Sequence, residues 1–274
     1  MLVKGNSGFC VELVDESTVR KSAKGSGSLR LKRQIEKQIL FHDTPREDSV
    51  RAPKVFRMEG GADQFQADME FIAARDFIQF LSEADRRMLD GFLSAMIEFI
   101  RNNLALCSSM DVSEQIDAKL AELARSNVPE TYIKAAARLC NSPVHVPVGP
   151  CHGDLTLSNI LFKNTHLYLL DFLDCYVESP LQDIVKLRQD TLFAWSLQLY
   201  QAEFNRTKIQ IILRYLDRRI DAAFLPDPWY RSHYELFQLV NLMRVIPYCK
   251  DGATTALVTE GLDRLLARLT IKND

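Results

Sequence analysis

Residues 151–162 read "CHGDLTLSNILF". His152, Asp154 and Asn159 fall in one short loop-like segment, and the apolar run Ile160-Leu161-Phe162 follows at once. Downstream, "NTHLYLLDFLD" (164–174) carries Asp171 and Asp174 where a second apolar run ends. Lys163-Asn164-Thr165 has the chemistry of a turn, so the two runs read as the arms of a hairpin. Such a hairpin brings Asn159 and Asp171 to the same end, side by side. Two oxygen-bearing side chains there suit Mg²⁺, a hard cation that shares its oxygen ligands with phosphates. Asp154, on the loop just before, is placed to take a proton from a hydroxyl nucleophile. Singly, Asp and Asn at strand ends are ordinary turn residues. The spacing of the whole set is what points to chemistry.

The chain around this stretch changes character near residue 70. Before it, "FCVELV" and "STVRKSA" read as short strands joined at Asp15-Glu16. "KGSGS" (24–28) reads as a flexible strand-to-helix break that imitates a phosphate loop without its full spacing. "LRLKRQIEKQILF" then has helical spacing at Leu31, Ile35 and Ile39, and "PKVFRMEG", "GADQF" and "QADMEFI" give two more strands around a Gly-Gly turn. After about residue 72 the pattern is mostly helical, with a first long helix expected to open on a capping box of Ser82 and Asp85. "VSEQIDAKLAELARS" and "PETYIKAAARLC" follow as amphipathic helices, the second opened by Pro129. Residues 141–175 interrupt the helices. A helix capped by Ser179, with Pro180 at its first position, resumes them. The expectation is an α+β, bilobal chain. Residues 1–70 form a small antiparallel sheet with one helix, and residues 71–274 a larger, mostly helical lobe. Two lobes with a connector create a cleft of the kind that takes small ligands.

His152-Gly153-Asp154-Leu155 with Asn159, then Asp171-Phe172, resembles the catalytic and metal motifs of the protein-kinase-like fold. The form HGDLxxxN…DF is similar to the branch of aminoglycoside phosphotransferases and choline kinases. The resemblance implies an ATP-dependent kinase that moves the γ-phosphoryl group to a hydroxyl. Asp154 would be the base, Asn159 and Asp171 would hold Mg²⁺ on ATP, and His152 would be structural, bonding backbone near the metal-binding strand. It also implies that Asp183, in "SPLQDIVKLRQD", braces the catalytic loop. Asp174 would touch metal or substrate, although Asp171-Phe172-Leu173-Asp174 lacks the glycine of the protein-kinase motif.

The N-terminal segment supplies the rest of the expected nucleotide site. Gly5 and Gly8 in "KGNSGF" would let the backbone approach phosphates. Alternation puts Val19, Lys21 and Ala23 on one face, and a lysine among small apolar residues needs an anionic partner. ATP phosphates and Glu36 of the next helix are the expected partners. "DMEFIAARDF" would be the hinge, with backbone groups of Glu70 to Ile72 on adenine. In the C-terminal part, "DPWYRSHYELFQLVNLMRVIPYCK" offers Trp229 and Arg244 to an acceptor, although aromatic residues at helical spacing usually build core.

Composition narrows the class. A chain of 274 residues with 47% hydrophobic content is long enough for two cores. A net charge of -2 leaves no footprint for wholesale nucleic-acid binding. No signal-peptide pattern and no membrane span are legible, and six scattered cysteines without a CxxC pair give neither a zinc pattern nor a disulfide framework. Cys151 beside His152 suggests a thiol nucleophile, but nothing nearby completes a Cys/His/Asn constellation. A cytoplasmic enzyme is the expectation. The acceptor would be a small molecule: a sugar, a polyol or an amino alcohol. The competing readings are a protein kinase, disfavoured by the short segment between Asp171 and the helix at Pro180, and an inactive nucleotide-binding pseudokinase module.

Overall fold

Alternation along Thr18–Lys24 turns Lys21 and Ala23 inward. In the computed structural model, which describes residues 2–4, 9–47, 49–140, 142–200, 202–249 and 251–273, the chain divides into two compact units. Unit 1 comprises Met1–Asp85 and Ser158–Asp174, and unit 2 comprises Arg86–Leu157 and Cys175–Asp274. This grouping differs from the expected division at residue 70 in two ways. The connector and first short helix join the sheet, and so does the hairpin at 158–174.

Unit 1 is built on β1 (Leu2–Lys4), β2 (Cys10–Leu13), β3 (Thr18–Lys24), β5 (Val55–Gly60) and β6 (Gln64–Glu70), in the order β1-β2-β3-β6-β5, all antiparallel. The β2–β3 turn closes where expected: Asp15 Oδ1 accepts from the Ser17 amide at 2.8 Å, and the Val14 amide donates to the Thr18 carbonyl at 2.8 Å. Helix α1 (Ser26–Asp43) covers one face of the sheet. "KGSGS" is less of a break than expected, because the helix already starts at Ser26. Gly25, at φ 59, makes the left-handed step between strand and helix that a side chain would oppose. Leu31 and Ile35 of α1 pack on Phe9, Ala23, Phe65, Ala67 and Met69 to form this unit's core.

The second sheet of unit 1 joins β4 (Val50–Arg51), β9 (Ile160–Lys163) and β10 (His166–Leu169) in the order β4-β10-β9. β9 and β10 pair antiparallel, with Ile160 opposite Leu169. The sequence reading missed a short helix, α2 (Phe77–Glu83). Asp76 caps it, accepting from the Gln79 amide, while the Gln79 side chain accepts from the Asp76 amide. The expected capping box of Ser82 and Asp85 is therefore corrected: Ser82 lies in the last turn of α2, and the long helix α3 (Arg86–Leu104) begins after Asp85. Phe80 of α2 stacks on Phe162 of β9, with ring centroids 3.9 Å apart.

Unit 2 contains α3, a two-stranded pair of β7 (Ser108–Asp111) and β8 (His145–Val148), and helices α4 (Ser113–Ala124), α5 (Glu130–Leu139), α6 (Pro180–Phe193), α7 (Arg206–Phe224), α8 (Pro228–Met243) and α9 (Gly252–Asn273). Among the described residues, no helix is long and apolar enough to cross a membrane. Helix α6 is central. It packs on α3, α7, α8 and β8, and most of its residues are buried whatever their polarity. Ser179 accepts from the Leu181 amide at its N-terminus, and Pro180 opens the helix, both as expected.

One charged cluster locks α6 to α7 and α8. Arg188 is 5% exposed. It donates to both oxygens of Asp217, at 2.9 and 3.0 Å, to Asp221 at 2.5 Å and to the Tyr230 hydroxyl at 2.6 Å. Thr191 adds a bond to Asp217, and the Tyr234 ring lies under the guanidinium. A buried pair of this kind is costly to break, because the remaining charge is left in low dielectric. Arg188→Met should lower stability by about 3–5 kcal/mol in urea unfolding, and Arg188→Met with Asp217→Leu should restore part of that loss.

Candidate functional site

Unit 1 supplies a cation and an oxygen-rich hairpin end. Lys21 on β3 is 5% exposed, with Phe9 under its ammonium at 4.9 Å. Its Nζ donates to Asp171 Oδ1 at 2.7 Å. A lysine this deep needs such a partner, since an isolated buried ammonium is strongly disfavoured. Asp171 follows β10 and takes φ 60, the left-handed region that non-glycine residues rarely adopt. The Leu170 amide donates to the Asn159 carbonyl at 2.9 Å, so Asn159 and Asp171 meet at the same end of the hairpin, as the spacing predicts. Helix α1 clamps the segment beyond: the Phe41 ring lies 5.0 Å from that of Phe172, which is buried, and Lys37 Nζ donates to the Leu173 carbonyl at 2.6 Å.

Unit 2 supplies the loop of Asp154. Asp183, in the first turn of α6, is fully buried. Its two oxygens accept from the His152 and Gly153 amides, each at 2.8 Å. Gly153 turns the chain at φ 91. His152 is fully buried, and its Nδ1 accepts from the Asp154 amide at 3.2 Å. The Asp154 carboxylate remains partly exposed, and Lys186, one turn along α6 from Asp183, reaches it at 3.0 Å. Further along α6, Asp190 accepts from the Leu157 amide and from the Ser196 amide and hydroxyl. Burial pushes its carboxyl up to about 6, against the opposing pull of these bonds.

The remaining expected residues are placed as follows. Glu36 is corrected: it is exposed on α1 and faces Lys32 at 3.8 Å, and Lys21's ion partner is Asp171. The face of α1 turned to the sheet carries Leu31, Gln34, Ile35 and Gln38, and Glu36 falls off it by helical phase. In the expected hinge, the Glu70 amide is taken by the Lys54 carbonyl and the Phe71 amide by the Ser17 carbonyl. The amide of Ile72 makes no such bond among the described residues, and its side chain is buried. Gly5 and Gly8 lie outside the described residues. Asp174 is exposed in unit 1. In unit 2, Trp229 is half-buried against the Tyr230 ring, and Arg244 lies over the Tyr176 ring at 5.3 Å. Lys186 and Asp190 were missed. Their only signal in the sequence is the helical spacing Asp183-Lys186-Asp190, which puts all three on one stripe.

Two measurements check this arrangement. Asp183→Asn replaces one acceptor with a donor facing an amide, so hydrogen exchange at His152 and Gly153 should quicken about tenfold or more while the rest of α6 stays protected. Asp190 has a folded pKa above its unfolded value, so its contribution is greatest below the ordinary carboxyl value of 3.8 and is lost as pH rises through about 6. Wild-type stability in urea unfolding should therefore fall by up to about 3 kcal/mol between about pH 4.5 and about pH 7.5, and this pH slope should be missing from Asp190→Asn, whatever the variant's own stability.

Comparison with known proteins agrees with this geometry. The family model APH, described as a phosphotransferase enzyme family, matches residues 28–218. No curated protein matches the chain. Among solved structures, a thermostable mutant of the aminoglycoside phosphotransferase APH(4)-Ia, in a ternary complex with ADP and hygromycin B, is similar at TM-score 0.65 and 10% identity, covering 97% of this chain and 92% of that one. The GDP and kanamycin complex of APH(2")-IIIa is similar at TM-score 0.66 and 15% identity, covering 98% and 93%. A glucosamine kinase is similar at TM-score 0.52 and 12% identity, covering 93% and 74%. At these identities the structures speak for the protein-kinase-like fold, and the family match speaks for the chemistry. The chain belongs to the phosphotransferase enzyme family.

Proposed function

We propose that the protein transfers the γ-phosphoryl group of ATP to a hydroxyl of a small molecule: a sugar, a polyol or an amino alcohol. The observation that carries this reading is the buried Lys21 on Asp171, at the hairpin end that also bears Asn159. The donor set fits Mg²⁺: a carboxylate and an amide oxygen are hard ligands that leave room for phosphate oxygens and water. Bound there, Mg²⁺ would neutralise charge on the transferring phosphates. Lys21 would turn its ammonium from Asp171 to a phosphate oxygen, staying within the same apolar surround. The Ile72 amide would bond the adenine edge.

Asp154 would accept the acceptor's proton. Its loop is held at the backbone by Asp183, so the carboxylate is carried on a fixed turn, and Lys186 sets its orientation. Phosphoryl transfer depends mostly on positioning and charge, so this small set is enough. The similar structures carry hygromycin B or kanamycin with their nucleotides, and one is a glucosamine kinase. A net charge of -2 does not mark a surface built for a polycation, which favours a neutral or singly charged sugar over an aminoglycoside.

The test is a nucleoside-diphosphate release screen with Mg-ATP and Mg-GTP over sugars, polyols, amino alcohols, aminoglycosides and nucleosides. One acceptor class should raise turnover well above background. With that acceptor, Asp154→Ala should lower kcat by about 10²–10⁴-fold, and Lys186→Met by about 10²-fold or less, since it misplaces the base without removing it. Equal residual turnover in wild type and Asp154→Ala would sink the reading.

A further inference from the structure

Three groups that sequence spacing separates converge in unit 2. Cys151 Sγ, Cys175 Sγ and a carboxylate oxygen of Glu178 all lie within 4.8 Å of one another. Cys151 is buried, and the other two are half-buried. Cys151 Sγ donates to Glu178 Oε2 at 3.2 Å, the Cys175 amide donates to Glu178 Oε1 at 2.7 Å, and Cys175 Sγ donates to the Gly153 carbonyl at 3.4 Å. Glu178 is itself fixed: its carbonyl accepts from the Gly149 amide at 2.9 Å, and the next residue, Ser179, caps α6.

We infer that Cys151, Cys175 and Glu178 form a binding site for a thiophilic divalent cation of the zinc type, separate from the magnesium ligands proposed above. Two thiolates and one carboxylate make a three-ligand tetrahedral set whose fourth position is left to water. Ligands about 2.0–2.3 Å from one ion stand less than about 4 Å apart, so a shift of about 1 Å closes the present cluster around it. Binding displaces one proton from each thiol and frees Glu178 Oε2 from the Cys151 S–H. The carboxylate decides against a disulfide. It repels the thiolate on which disulfide formation depends, and it attracts a cation. Thiolate ligands also select zinc, cadmium or cobalt over magnesium. An ion there would tie residues 151–153 to residues 175–178. Its bearing on Asp154, three residues on, depends on the catalytic reading above, whereas the site itself does not.

The test uses the full chain, reduced and freed of metal, titrated with Co²⁺. One equivalent should bind with thiolate-to-cobalt charge-transfer absorption and tetrahedral visible bands. Zn²⁺ should displace it, and excess Mg²⁺ should not. Cys175→Ser should weaken the charge-transfer band by about half, and Cys175→Ser and Glu178→Gln should each lower affinity about tenfold or more. Cys10→Ser, at an exposed position of β2 and outside the cluster, should change neither. The far-ultraviolet circular dichroism of each variant reports whether it has folded, and Glu178→Gln leaves both thiols in place should Cys175→Ser not fold. Absence of the charge-transfer band in wild type, or its survival undiminished in folded Cys175→Ser, would overturn the proposal. So would a metal-free protein that takes up no Co²⁺ but closes a Cys151–Cys175 disulfide under peroxide, two electrons and two protons passing from the thiols to give water.

Discussion

A single buried carboxylate holds the loop of unit 2 together. Asp183 gives one oxygen to the His152 amide and the other to the Gly153 amide. A fully buried carboxylate is tolerated only when its lone pairs are filled, and two backbone amides with the dipole of the α6 N-terminus do that. In return, the turn at Gly153 has its donors satisfied without regular secondary structure. The same helix then repeats the device: Asp190, two turns on, takes the Leu157 amide at the far end of the loop. Between them Lys186 meets Asp154. One face of one helix therefore fixes both ends of an irregular segment and the side chain in its middle.

That dependence explains why α6 is so polar and yet so buried. Gln182, Asp183, Arg188, Gln189, Asp190 and Thr191 are all inside. An apolar helix would pack as well but would leave the loop amides unsatisfied. The polar residues divide the work by direction, with Asp183, Lys186 and Asp190 serving the loop and Arg188 and Thr191 tying the helix to Asp217 of α7. A buried network of this kind stabilises only when complete, and it specifies one arrangement of helices rather than several.

The sequence carried the parts of this design that obey a short period. Strand alternation turned Lys21 inward, and the Lys163-Asn164-Thr165 turn brought Asn159 level with Asp171, because both depend on a two-residue repeat and a local turn. Glu36 shows where such reasoning failed. Its chemistry suited Lys21, but the helical phase set by Leu31 and Ile35 turned Gln34 inward and left Glu36 in water. The capping box at Asp76 and Gln79 is legible as an acid three residues before a glutamine at an apolar run, a pattern that Ser82 and Asp85 imitate further along the chain. Cys151 and Cys175 lie 24 positions apart, and only the fold brings their sulfurs together with Glu178. Contacts of that range leave no local trace, so they were legible only after the elements were placed.

Unit 1 is assembled from two stretches of chain that are far apart in synthesis. Lys21 lies in the first stretch, whereas Asp171, its ion partner, lies 150 residues later. The pairing of Leu167 with Val50 is delayed in the same way. During translation the five-stranded sheet can form early, yet Lys21 has no Asp171 beside it until the ribosome has passed residue 171. At about 5–20 residues per second, that interval lasts on the order of ten seconds. The N-terminal sheet thus emerges as an incomplete structure, completed last by the hairpin that leads to Asp171, so a chain cut short before that hairpin leaves Lys21 without its ion partner.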